Sequence, residues 1–292
     1  MSKAGSPPIT DKEAIEANIA VHTAVSHRYN QSPHFREENR EKVRTLLSTL
    51  RERLRTAGDR KRLLDMGCGT GFILSIAHPF FDELHGIDVT DAMIKQVDLS
   101  PGNIKTHISP AEKTPFAEGH FDFVTAYSFM DHLADIGPFL AEVYRVLKPG
   151  GIFYADLNPN RAYWDYLFNL DAGGVPDAGP ADSFSPVVRR EIENVVHNDA
   201  LLAAETGLSE SLIAACESTK QYRRGFSRAE FGSLAKSLGF RKSEFTLDWF
   251  MGQGPVMHQV SFEAARTVDT FLRQISPASD HLFKYLRVVL EK

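Results

Sequence analysis

Cysteine is scarce in this chain: Cys68 and Cys216 are the only two in 292 residues. Two thiols cannot make a disulfide framework, which excludes the small stapled secreted folds and points to reduced thiols in a cytoplasmic protein. A basic excess is missing too. Net charge is −5, so no overall positive field invites nucleic acid. The run from Arg51 to Arg62 is interrupted by Glu52 and Asp59 and reads as a solvated helix face. No apolar stretch reaches the roughly 18 residues of a membrane span, and no signal-peptide core follows Met1. Internal repeats and low-complexity tracts are absent as well. What remains is an ordinary globular balance, with 42% hydrophobic and 24% charged residues.

Against that plain background one segment carries chemistry. Leu63-Leu64-Asp65-Met66-Gly67-Cys68-Gly69-Thr70-Gly71 runs from an apolar strand through an acid into three alternating glycines and then a helical pattern. Glycines there let the backbone turn sharply and let a ligand approach without Cβ interference. Asp88 closes the next strand-like run, where a carboxylate can accept hydrogen bonds from both hydroxyls of a ribose. A dinucleotide fingerprint would need a glycine at Phe72, so the spacing argues against a nicotinamide oxidoreductase.

Gly67 to Gly71, with Asp65 two places ahead, resembles the first motif of class I S-adenosylmethionine-dependent methyltransferases. The likeness continues in order. It runs through Ser109 to Phe116, then the strand Phe121 to Val124, then Tyr127 to Leu133. It closes at Val143 to Gly151. It spans roughly residues 60 to 158 and is nearest the ubiquinone and menaquinone biosynthesis group. The resemblance implies an α/β fold: a Rossmann-like seven-stranded sheet with helices on both faces. It also implies S-adenosylmethionine as cofactor and methyl transfer to a small molecule. The acceptor atom (oxygen, nitrogen or carbon) and the oligomeric state stay open, and no nucleic-acid or membrane partner is implied. Neither Asn-Pro-Pro-Tyr after the fourth strand nor a Pro-Cys nucleophile occurs, which argues against nucleobase methylation. A cofactor-binding protein without catalysis is the non-enzymatic alternative.

The pattern predicts one domain. A helical cap covers 1–60, the cofactor-binding core 61–160, a lid insertion 161–225, and a closing segment 226–292. Strands are expected near 62–66, 84–88, 104–108, 121–126, 151–156, 240–247 and 281–290, the last inserted antiparallel between the fifth and sixth. Helices are expected at 137–147, 186–204 and 208–219, with Ser227 and Glu230 as a capping box. Residues 172–182 are expected to form a mobile loop.

The resemblance assigns cofactor contacts to Tyr29, Asp65, Gly67, Cys68, Gly69, Gly71, Asp88, Val89, Met93, Ala111, Glu112, Tyr127 and Ser128. Pro110 stands where the family usually has an acid for the adenine amine, leaving Glu112 or the Ala111 backbone to replace it. His132 and Tyr127 are candidate bases or orienters; the alternative for His132 is a structural place at a helix start. Tyr163, Trp164 and His197 are candidates for the acceptor side. Asp131, Asp156 and Asn158 resemble the acidic positions of metal-dependent catechol-type enzymes, but the adjacent acid–amide pair is lacking, so no metal is expected.

Overall fold

The computed structural model describes residues 9–31, 35–175 and 183–292, with only the backbone described at 221–223. The chain begins with α1 (Asp11–Val25) and α2 (Glu37–Glu52). Thr10 caps α1 reciprocally with Glu13, satisfying donors that the helix start leaves orphaned. The core then alternates: β1 (Arg62–Met66), α3 (Phe72–Ala77), β2 (Glu83–Asp88), α4 (Asp91–Ile94), β3 (Ile104–Ile108), β4 (Phe121–Tyr127), α5 (Ile136–Val146) and β5 (Leu147–Pro159). Five helices follow: α6 (Arg161–Asp171), α7 (Pro186–Val196), α8 (Asn198–Thr206), α9 (Glu210–Cys216) and α10 (Ser218–Arg223). The chain closes with α11 (Arg228–Leu238), β6 (Lys242–Phe250), the short α12 (Gln253–Pro255), α13 (Phe262–Gln274) and β7 (Phe283–Glu291).

The seven strands form one sheet in the order β3-β2-β1-β4-β5-β7-β6. Strands one to five are parallel; β7 runs antiparallel between β5 and β6, as expected. Helices cover both faces, so the central strands read as continuous apolar runs: Leu63, Leu64 and Met66 of β1 and all of β4 are buried. Helix α5 buries Phe139, Leu140, Val143 and Val146 along one stripe against the sheet. Strand order reverses between β1 and β4, and the crevice beyond their carboxyl ends is where such sheets bind ligands.

Several boundaries differ from expectation for local reasons. β5 starts at Leu147, directly after α5, because Gly150 (φ 79°) lets the chain turn while its N–H donates to Lys292 O. The region 186–219 is four helices rather than two, broken at His197 and Glu217, whose backbones leave helical geometry. Ser227 makes no side-chain cap; Glu230 accepts instead from Arg161 Nη1 at 2.7 Å. The expected mobile loop falls at 176–182 outside the described residues.

The helical insertion reaches back to the start of the chain. Ala17 and Val21 of α1 pack on Ile213 and Cys216 of α9 in a small separate apolar cluster. Cap and insertion thus meet above the carboxyl ends of β1 and β4.

Candidate cofactor and acceptor site

The glycine loop leaves β1 with Gly67, Gly69 and Gly71 at φ 72°, 51° and 87°, the left-handed region that glycine enters without penalty. Gly67 is constrained twice over. A Cβ there would lie 2.0 Å from the Phe129 ring, which packs directly against it. The loop is pinned to β2: Gly67 and Cys68 N–H both donate to Ile87 O at 2.9 Å, and Gly69 N–H donates to the Asp88 carboxylate at 3.0 Å. The other Asp88 oxygen accepts from Thr90 N at 2.8 Å.

A crevice opens beside this loop. Gly67, Gly69, Asp88, Val89, Met93, Ala111, Glu112, Ser128 and Tyr29 of the expected set line it. Residues that sequence reasoning missed complete the wall: Ile15, Asn18 and His22 from α1, then Thr90, Phe129 and Leu133. The α1 residues carry no motif, and only the packing of α1 over the sheet brings them there.

Four of the expected residues do not line the crevice. Asp65 is buried behind it and accepts from Thr125 Oγ1 at 2.7 Å. Burial pushes its carboxyl up to about 7, and the Asp88 charge adds to that while Thr125 opposes it. The Cys68 side chain turns under Gly86, and burial raises its thiol. Gly71 packs on Val97 as the N-cap of α3. Tyr127, a candidate catalytic group, lies in the buried cluster below, its ring 5.1 Å from that of Phe72.

The crevice opens into a cavity of about 940 Å³. His22, Tyr29, Ser128 and His132 line both spaces and form the passage between them. The far side combines aromatic groups, among them Phe35, Tyr163, Trp164, Trp249, Phe250 and Tyr285, with charged ones such as Arg28, Arg36, Arg190, Glu191, Lys220 and Lys284. Tyr163 and Trp164 therefore lie where the acceptor side was expected. Tyr163 OH donates to Glu191 at 2.8 Å, and Lys284 Nζ bonds the same carboxylate oxygen at 3.2 Å. The indole N–H groups of Trp164 and Trp249 are buried with no partner among the described residues. His197 does not line the cavity. It occupies the N-cap position of α8 without a side-chain cap bond and pairs with Asp171 at 3.3 Å.

Three non-glycine residues at strand ends share the left-handed region: Ser128 (φ 51°), Leu157 (φ 58°) and Trp249 (φ 58°). All three line the cavity. Each such residue costs about 1–3 kcal/mol, and this clustering is typical of functional sites. Below them Asp156 accepts from Tyr154 OH at 2.9 Å and from Arg287 Nε at 2.7 Å, and Arg287 also bonds Asp248 at 2.7 Å. Asn158 donates to Leu286 O. These acids brace β5, β7 and β6 and are not gathered around a cation.

His132 sits at the passage, with Nδ1 3.0 Å from Cys216 O and Nε2 3.9 Å from Asp131 Oδ1. The structure therefore anchors the ring through one nitrogen and leaves it facing the cavities.

The residues present fit a nucleoside with an amino-acid arm. Asp88 offers a carboxylate, and the buried Thr90 hydroxyl has no partner among the described residues. Met93, Val89, Ala111 and Leu133 give apolar walls. The crevice itself encloses about 50 Å³.

Comparison with known proteins agrees with this geometry. Residues 64–155 match the methyltransferase domain family. Over 99 residues the chain is 37% identical to a ubiquinone/menaquinone biosynthesis C-methyltransferase of Geotalea daltonii, covering 31% of this chain and 42% of that one. Over 106 residues it is 31% identical to a ubiquinone biosynthesis O-methyltransferase of Thiobacillus denitrificans, covering 34% and 46%. The match thus spans less than half the length of these curated relatives. A chain described as a putative methyltransferase, solved with the Haloferax volcanii Trm112 methyltransferase activator, shares the fold. Its TM-score is 0.52 at 16% identity, covering 94% of this chain and 96% of that one. No helix among the described residues is long and apolar enough to cross a membrane. The glycine loop and Asp88 lie inside residues 64–155, the segment that matches the methyltransferase domain family.

Proposed function

We propose that the protein transfers a methyl group from S-adenosylmethionine to a small, largely apolar acceptor held in the 940 Å³ cavity. The observation that carries this reading is the passage at His22, Tyr29, Ser128 and His132, which joins the cofactor crevice to the aromatic cavity. The cofactor supplies a methyl carbon already activated by its sulfonium. The chain's own part is to align the acceptor and exclude water, and such positioning can lower the barrier by several kcal/mol.

Trp164, Trp249, Phe35 and Tyr285 bound the acceptor's body. His132 lines the passage, its ring held in orientation by the contact of Nδ1 with Cys216 O. The strand-end strain at Ser128, Leu157 and Trp249 fixes the floor of the site. The relatives include both a C- and an O-methyltransferase, so the acceptor class is set by the cavity rather than by the core.

The test is label transfer from methyl-tritiated S-adenosylmethionine to a panel of quinols, phenols and amines. The panel is read together with a cavity-filling variant. Gly254 lines the cavity, and a Cβ added there meets no atom within 4 Å. Gly254→Phe should block transfer and leave cofactor affinity intact. Transfer that continues unchanged in this variant would place the acceptor elsewhere.

A further inference from the structure

Three metal-ligating side chains converge at the passage from distant parts of the sequence. His22 comes from α1, His132 from the loop after β4, and Cys216 from the end of α9. One ligating atom of each lies within 4.8 Å of the others. Cys216 Sγ is 3.6 Å from His132 Nδ1 and 3.9 Å from His22 Nδ1, and the two imidazole rings meet edge to face with centroids 4.9 Å apart.

A second observation concerns the other side of the His132 ring. Asp131 is 7% exposed, and its Oδ1 has no hydrogen-bond partner among the described residues. That oxygen lies 3.9 Å from His132 Nε2. A buried carboxylate oxygen without a donor is costly unless a positive charge or a donor arrives.

We propose that His22, His132 and Cys216 form a transition-metal site at the junction of the cofactor crevice and the acceptor cavity, with its fourth position open to the cavity. Two imidazoles and a thiolate suit Zn²⁺, which takes nitrogen and sulfur ligands tetrahedrally and keeps an open position where three protein ligands hold it. His22 Nδ1 lies 3.0 Å from Asn18 O, and His132 Nδ1 lies 3.0 Å from Cys216 O; the other His132 nitrogen, Nε2, faces Asp131 Oδ1 at 3.9 Å, the side on which a ring that ligates through Nδ1 takes its outer partner. For the ring nitrogens that face Cys216 Sγ to ligate, those carbonyl bonds are exchanged for the metal. The Cys216 thiol bonds Asn18 Oδ1 at 3.3 Å, and its ligation as a thiolate would release its proton. The open position would take an oxygen of the acceptor.

Cobalt substitution tests the site on the full-length protein, without an activity assay. Co²⁺ titrated into dialysed protein should give a saturable thiolate-to-cobalt charge-transfer band with intense visible absorption of tetrahedral type. Zn²⁺ should abolish both by competition. Cys216→Ser should lose the charge-transfer band. His22→Asn and His132→Asn should weaken binding by more than the roughly 10- to 100-fold that follows loss of an outer partner. A charge-transfer band that survives in Cys216→Ser would overturn the proposal. So would wild-type protein that shows only the weak absorption of hydrated cobalt. If a variant fails to fold, the wild-type spectrum is decisive by itself.

Discussion

Replacing Asp65 by asparagine should remove a pH dependence that burial of this carboxyl builds into the fold. Asp65 is 2% exposed, and its proton is held to about pH 7, about three pH units above the ordinary value of 3.8. The folded state therefore keeps a proton that the unfolded chain has already lost. Stability falls as pH rises through that window, because the unfolded state binds fewer protons. Three pH units correspond to about 4 kcal/mol at most, complete above about pH 7 and absent below about pH 4. The asparagine amide would still accept from Thr125 Oγ1 and would carry no charge at any pH. Urea unfolding at pH 5, 6, 7 and 8 is the assay. The gap between Asp65→Asn and wild type should move in the variant's favour by a few kcal/mol from pH 5 to pH 8. Parallel pH profiles would refute the reasoning and show that Asp65 is ionised in the fold.

Other perturbations probe the site more directly. Asp88→Ala should weaken S-adenosylmethionine binding by about 1–3 kcal/mol, the usual cost of leaving polar partners unmet, as read by calorimetry. Gly67→Ala should cost at least about 1–3 kcal/mol in stability and lose cofactor binding, because it combines φ 72° with a Cβ 2.0 Å from the Phe129 ring. Thermal melts and a cofactor titration check both parts; a variant with wild-type values would contradict the close packing. His197→Ala should change stability by no more than about 0.5 kcal/mol and leave turnover alone, since the imidazole is exposed and outside the cavity.

The sheet and its cofactor edge were legible because they rest on local signals. Alternating glycines, an acid at each strand end and continuous apolar runs need no tertiary information, and Gly67, Gly69 and Asp88 all line the crevice. The acceptor side was not legible in the same way. His22 has no neighbouring motif, and only the packing of α1 on α9 brings it to His132 and Cys216. Trp249 and Leu157 read as ordinary strand residues; the positive φ that turns them into the cavity floor follows from the inserted β7 and has no sequence mark. Asp65, Cys68 and Tyr127 show the opposite failure. Their positions match the motif, yet each side chain points into the layer beneath the crevice. His197 attracted notice as a titratable group in the insertion, whereas its imidazole turns to Asp171 and does not line the cavity.

The central claim is that the glycine loop and Asp88 hold S-adenosylmethionine. Isothermal titration of the wild-type protein and Asp88→Ala with S-adenosylmethionine, its demethylated product and NAD tests it most directly. The account predicts one saturable site for the first two ligands, weakened in Asp88→Ala, and no heat from NAD. Saturable NAD binding with no response to S-adenosylmethionine would contradict it.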